Sequence, residues 1–262
     1  MERQFLISLL LLFLIVGCET TPVITIKNNS ECITTYSDNE CITSSEESLV
    51  VFKPLPSDVW EYMIFNSDYE KDFILDQKTL SYINRHIQDL EKFNDYLNKS
   101  YYFIYYVIQE LEAANLPVEL ALIPFIESNY DPFSISPSGA VGLWQFMPKT
   151  GRIFNLEKSW WSEDRHDPFR STHAAIGYFK YLFERFDNDI YLALAAYNAG
   201  PTYLDRQIKK NYRRGMDTDF WSLSLNSQVT EYIPKYVALR EVVFNSEKYN
   251  VNLPFVPVES VV

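Results

Sequence analysis

The sequence predicts an all-α, or nearly all-α, fold, and three observations carry that expectation. Ile83, Ile87, Leu90, Phe93 and Leu97 recur at three- and four-residue steps, the spacing that lines one face of a helix. Helix starts and stops are punctuated: Leu116-Pro117 places proline where a first turn needs no N–H, and Asp189 stands as a cap before a run that stops at Gly200-Pro201. No stretch alternates apolar and polar residues convincingly, apart from short pairings around Ser134 to Val141.

Residues 1–17 read as an address. Phe5 to Val16 is an apolar run broken only by Ser8, too short to cross a bilayer comfortably and of the length of a signal-peptide core. It ends at Ile15-Val16-Gly17-Cys18, which resembles the bacterial lipobox, in which the cysteine is acylated and becomes the mature N-terminus. The resemblance implies a lipid anchor at Cys18. Glu19 at the next position implies the outer membrane, on the periplasmic side. An uncleaved anchor or plain secretion is the alternative.

Residues 18–57 read as a tether rich in Ser, Thr, Asn and Glu, ending in Lys53-Pro54-Leu55-Pro56. Cys32 and Cys41 lie in it, either paired in an oxidising periplasm or free. A helical extension is expected over 58–104 and the main domain over 105–250. Within these, Ile83 to Leu97 reads as one amphipathic helix, followed by Phe103 to Leu111, by a helix opening at Leu116-Pro117, by Ser171 to Phe186, by Asp189 to Asn198 and by Thr230 to Phe244. Residues 251–262 are left as a C-terminal tail.

Composition excludes several functions. The net charge is −12, with no basic stripe, so nucleic acid is not an expected partner. Three scattered histidines and three cysteines without a CxxC give no metal site, and no P-loop or GxGxxG supports a nucleotide, so no cofactor is expected. Aromatic residues make up 16% of the chain, and most of them are assigned to the core.

Chemistry concentrates at Glu127. Leu116, Leu120, Ile123 and Glu127 fall on one stripe if the segment is a single α-helix, so the carboxylate continues an apolar face. Apolar surroundings and the negative end of a helix both raise a carboxyl pKa, the setting a general acid needs near neutral pH. Pro124 within such a helix costs a hydrogen bond and bends it. Three of the seven glycines, Gly139, Gly142 and Gly151, then crowd a turn-rich segment that also carries Trp144 and Gln145.

Glu127-Ser128, the run Ser136 to Pro148 (SPSGAVGLWQFMP), Ala195 to Pro201 (AAYNAGP), Phe220 to Leu223 and Tyr232 to Lys235 together resemble the blocks of the soluble-lytic-transglycosylase family, in the family's order. The likeness runs from about Val107 to Phe244 and implies a lysozyme-like catalytic domain acting on bacterial peptidoglycan. It implies Glu127 as the single catalytic acid/base, with Ser136, Gln145, Met147, Tyr197, Asn198 and Tyr232 lining the sugar groove. It departs from the family at Gln228-Val229, where Glu-Thr is usual. Protein partners are not indicated. Two other readings stand beside it: a water-using muramidase, needing a second carboxylate from Asp131, Asp167 or Glu119, and a peptidoglycan-binding lipoprotein without turnover.

Overall fold

A computed structural model describes residues 56–67 and 75–259 in full, and the backbone of three short strands within 35–52. The leader, Cys18 and Cys32 lie outside the described residues, as do the side chains of the strands, Cys41 among them. The chain divides into two compact units, Met1–Leu55 and Pro56–Val262.

In the first unit, β1 (Thr35–Ser37), β2 (Glu40–Ser45) and β3 (Ser48–Phe52) pair antiparallel in sequence order. The register sets Tyr36 opposite Cys41 and Thr43 opposite Val50. Regular structure in this stretch was not expected from its polar composition. The β-branched pair Val50-Val51 of β3 and the isoleucine and threonine of β2 are the residues that suit a pleated backbone.

The second unit is helical, as the sequence predicts. α1 (Val59–Phe65) is capped by Asp58, whose carboxylate accepts from Trp60 N at 2.9 Å. The other Asp58 oxygen accepts from Val256 N at 3.0 Å, and Trp60 Nε1 donates to Pro254 O at 2.8 Å. The C-terminal stretch is therefore part of the core, with Val251 and Val256 buried.

The single helix expected over Ile83 to Leu97 is two, α2 (Gln77–Gln88) and α3 (Leu90–Asn98). Asp89 leaves helical geometry between them and its side chain accepts from Lys92 N at 3.1 Å, ending one helix and capping the next. α4 (Ile104–Ala113) follows. The helix expected to open at Pro117 is a 3₁₀ turn, Val118–Leu122, that becomes α5 (Ile123–Ser128). Pro124 explains the change. It can donate no bond to Leu120, and its ring would press on that carbonyl, so the α-helix restarts with proline in its first turn, where no N–H is required.

α6 (Pro148–Ile153) leads through a loop to α7 (Pro168–Arg185), capped by Asp167. α8 (Ile190–Ala199) is capped by Asp189, as expected. Gly200, at φ 87°, turns the chain straight into α9 (Pro201–Tyr212), a helix the sequence reading did not include. Gly200-Pro201 was read as a stop, whereas the pair stops one helix and starts another. α10 (Ser227–Phe244), capped by Asn226, closes the unit. α8 is apolar on every side from Ile190 to Ala196 and packs against α7, α9 and α10, so it is the central helix. Among the described residues no helix is long and apolar enough to cross a membrane, and no cluster of His, Cys, Asp or Glu could hold a metal.

Candidate active site

Glu127 is the penultimate residue of α5 and is partly buried. Asn129 and Tyr130 follow it with φ of 55° and 60°, so the chain turns away through two left-handed residues. Tyr130 is buried there and donates from its hydroxyl to Ala121 O at 2.8 Å, which secures the turn. Ser128 Oγ donates to Leu143 O at 2.8 Å and so pins the end of α5 to the glycine-bearing loop.

Two tyrosines from other helices meet at this point. Tyr232 of α10 donates from its hydroxyl to Glu127 Oε1 at 2.6 Å. Tyr197 of α8 lies close enough for the charge of Glu127 to raise its pKa, after burial has done so. Its hydroxyl donates to Trp144 O at 2.7 Å, and its ring stacks on Phe179 with centroids 4.7 Å apart and planes 7° from parallel. Burial pushes the Glu127 carboxyl up to about 7 from 4.5. The Tyr232 hydrogen bond and the nearby charge of Lys235 act in the opposite direction and do not prevail. The apolar setting expected from sequence is thus present, although a 3₁₀–α junction supplies it and not a continuous helical stripe.

The loop from Ser134 to Met147 is folded on itself by isolated bridges, Ile135 to Val141 and Val141 to Phe146. Ser136 Oγ accepts from Ala140 N at 2.9 Å. Gln145 adopts φ 49°, and its Nε2 donates to Gly142 O at 3.0 Å and Ser134 O at 3.2 Å. Gly142, at φ 82°, has no room for a side chain: a Cβ there would stand 1.7 Å from Arg165 O. Met147 is 42% exposed at the start of α6. Asn198, beside Tyr197, has a buried Oδ1 that meets no donor, an acceptor left open in a polar setting.

Glu127, Tyr197 and Tyr232 therefore converge, with Asn198 next in chain to Tyr197. Ser136 and Gln145 sit on the loop tied to that cluster through Leu143 and Trp144, and Met147 stands at the loop's end. Two residues given no site role from sequence also belong here. Lys235 brings a positive charge to Glu127 from one turn beyond Tyr232. Arg165 is buried, and its Nη1 donates to Phe146 O at 2.7 Å and Gly139 O at 3.0 Å, bracing the loop. Arg165 carries no signal in the sequence, since it acts through contacts made by the fold, whereas Lys235 closes the Tyr232 to Lys235 block and is marked there without a role.

The three acids weighed as a second carboxylate are occupied elsewhere. Asp131 accepts from Phe133 N at 2.9 Å within its own turn, and Asp167 caps α7. Glu119 is fully buried beside Arg240, 3.5 Å away, and accepts from Ser67 Oγ at 3.2 Å. Gln228 is exposed on the first turn of α10, whereas Val229 is buried in the core.

This constellation coincides with a known domain: residues 106–220 match the family described as Transglycosylase SLT domain. The chain carries a transglycosylase SLT domain. It is similar to the membrane-bound lytic murein transglycosylase D of Escherichia coli (strain K12), at 36% identity over 185 residues, which are 71% of this chain and 40% of that protein. It is also similar to a membrane-bound lytic murein transglycosylase F of Alcanivorax borkumensis, at 33% identity over 108 residues, 39% of this chain and 22% of the relative. Among solved structures, lytic transglycosylase Slt of Pseudomonas aeruginosa aligns with a TM-score of 0.46 and 21% identity over 75% of this chain and 33% of that one. The SLT match takes in α5, the loop to α6, α7, α8 and α9, hence Glu127, Tyr197 and Asn198; Tyr232 lies beyond it on α10.

Proposed function

We propose that this chain is a peptidoglycan lytic transglycosylase that cleaves the β-1,4 bond between N-acetylmuramic acid and N-acetylglucosamine without water. The observation that carries the reading is Glu127, held near neutral pKa by burial and bonded by the Tyr232 hydroxyl at 2.6 Å. A carboxyl that titrates near 7 can give a proton in one step and take one in the next.

The glycosidic oxygen receives the Glu127 proton as its bond to C1 of the muramic acid breaks. The acetamido carbonyl of the same sugar stabilises the positive charge that develops at C1. The Glu127 carboxylate then removes the proton from the C6 hydroxyl as that oxygen bonds to C1. A 1,6-anhydro ring results, the departing sugar carries a free 4-hydroxyl, and Glu127 ends protonated as it began. This route asks for a single carboxylate, where a hydrolytic glycosidase places two about 5–9.5 Å apart. The engagement of Asp131, Asp167 and Glu119 in structural contacts supports it over the water-using alternative.

Tyr232 orients the Glu127 carboxyl and supports its anionic form after the first transfer. Asn198 Oδ1, Gln145, Ser136, Met147 and Tyr197 are assigned to holding the sugars so that the internal hydroxyl reaches C1 before water does. Digested sacculi are expected to yield muropeptides lighter by one water than the hydrolysed forms. Mass spectrometry that found only hydrated reducing ends would reject the anhydro route.

The same reading puts the protein at the bacterial cell envelope, held by an acyl chain on Cys18. The lipobox-like sequence and the membrane-bound designation of its relatives support this placement. Labelled palmitate should enter the native chain and not its Cys18→Ser variant, and equal incorporation in both would exclude that anchor.

A further inference from the structure

Between α6 and α7 the chain makes a short hairpin, closed by the Lys158–Glu163 bridge. Asp164 N donates to Glu157 O at 2.9 Å at its base. Ser159 N donates to Ser162 O at 2.8 Å across its turn, and Ser162 N donates back to Ser159 Oγ at 3.0 Å. The two residues at the tip are Trp160 and Trp161. Such positions favour glycine, asparagine or aspartate, and they are the least protected in the fold. Yet they hold two indole rings that are 88% and 77% exposed, the first of them the most exposed large apolar side chain among the described residues, with ring centroids 5.2 Å apart. Nothing in core packing accounts for them, and an exposed aromatic pair rimmed by polar residues marks a contact surface.

The hairpin is braced against the candidate active site. Glu163 forms an ion pair with Arg165, and Arg165 holds Gly139 O and Phe146 O of the loop that carries Ser136 and Gln145. A ligand gripping that loop and extending along the surface would meet a hairpin whose base is tied to the same loop. We infer that Trp160 and Trp161 form a saccharide-stacking platform, a second contact for the glycan strand outside the cleavage site. The inference rests on the reading of the chain as a glycan-strand enzyme.

The chemistry favours a sugar. One face of an N-acetylated pyranose presents C–H groups and packs on an indole, whose polar N–H remains free to bond a hydroxyl or acetamide. An anionic bilayer is the other surface that exposed tryptophans suit, and it is drawn to cations. Here the hairpin carries Glu157, Glu163 and Asp164. Its exposed cation, Lys158, is already paired with Glu163 at 2.8 Å, and Arg165 is buried. That balance disfavours anionic headgroups.

The platform is tested in the full chain bearing Glu127→Gln, so that the probe is not consumed. Binding is followed by co-sedimentation with sacculi and by tryptophan fluorescence on titration with β-1,4-linked N-acetylglucosamine oligomers. Adding Trp160→Ala and Trp161→Ala should weaken sacculus binding about tenfold and abolish most of the fluorescence response, with the melting transition unchanged. Trp160→Phe with Trp161→Phe should restore much of the sacculus affinity, because a ring face is retained. Undiminished binding by the folded alanine variant, or a phenylalanine variant as weak as the alanine one, would overturn the platform alone. So would a loss confined to phosphatidylglycerol vesicles with saccharide binding intact. Failure of the Glu127→Gln parent to bind sacculi at all would overturn the platform together with the functional reading.

Discussion

Glu127→Gln should lower the release of soluble muropeptides from sacculi by at least about a thousandfold, the upper part of the range that a positioned general acid/base contributes. Glutamine keeps the shape and can still meet the Tyr232 hydroxyl, but it has no proton to give and no charge with which to take one. With the acid near 7, the wild-type rate should hold at low pH and fall as pH rises through that value, because the proton needed for the first step is lost. The same substitution should strengthen the fold. The folded-state pKa lies above the ordinary 4.5, so the native state binds the extra proton between about 4.5 and 7, and stability declines over that window as pH rises. Above it the cost is fully present, at most about 3 kcal/mol for a shift of this size and less for a side chain that keeps some contact with water. Thermal melts at pH 8 should therefore favour the variant, and melts at pH 4 should not distinguish it from wild type. A variant that turns over sacculi at the wild-type rate removes Glu127 from the chemistry. One that melts lower at pH 8 removes the strained acid.

Arg240→Leu should destabilise the fold by about 3–5 kcal/mol, the cost of leaving one member of a buried pair without its counter-charge. Arg240 on α10 faces Glu119 in the 3₁₀ turn that precedes α5, and Glu119 is fully buried. Burial already raises the Glu119 pKa, and Arg240 and Ser67 only partly offset it. Without Arg240 the carboxyl shifts further up. A folded pKa above the unfolded one is a penalty that grows with pH, so the loss should be larger at pH 8 than at pH 5. Adding Glu119→Gln should recover much of it, which urea denaturation of the single and double variants would measure. Additive losses would show that the pair is not coupled. This pair ties α10, which carries Tyr232, to the 3₁₀ turn that leads directly into α5 and Glu127, so the single variant should also depress turnover through a loosened site.

The readable part of this protein was whatever depends on neighbours along the chain. Asp189 before an apolar run and Gly200 after it marked both ends of α8, because caps and left-handed stops are made by the residues adjacent to them. The same local logic failed where two local rules met. Ile83 to Leu97 kept its apolar spacing across a break, since Asp89 can end one helix and cap the next without disturbing the periodicity on either side. Leu116 to Glu127 also kept its spacing, while Pro124 divided it between a 3₁₀ turn and α5.

From sequence alone came the helical class, the motif blocks and the choice of Glu127, because each rests on residue type and spacing. Only the tertiary structure decided what surrounds that carboxyl. Tyr232 stands 105 positions away and Tyr197 on a different helix again, and Arg165 braces the glycine loop from beyond α6. A carboxyl's pKa follows from which groups exclude water from it and which donate to it. Those groups are assembled by packing among α5, α8 and α10, which no one-dimensional pattern specifies.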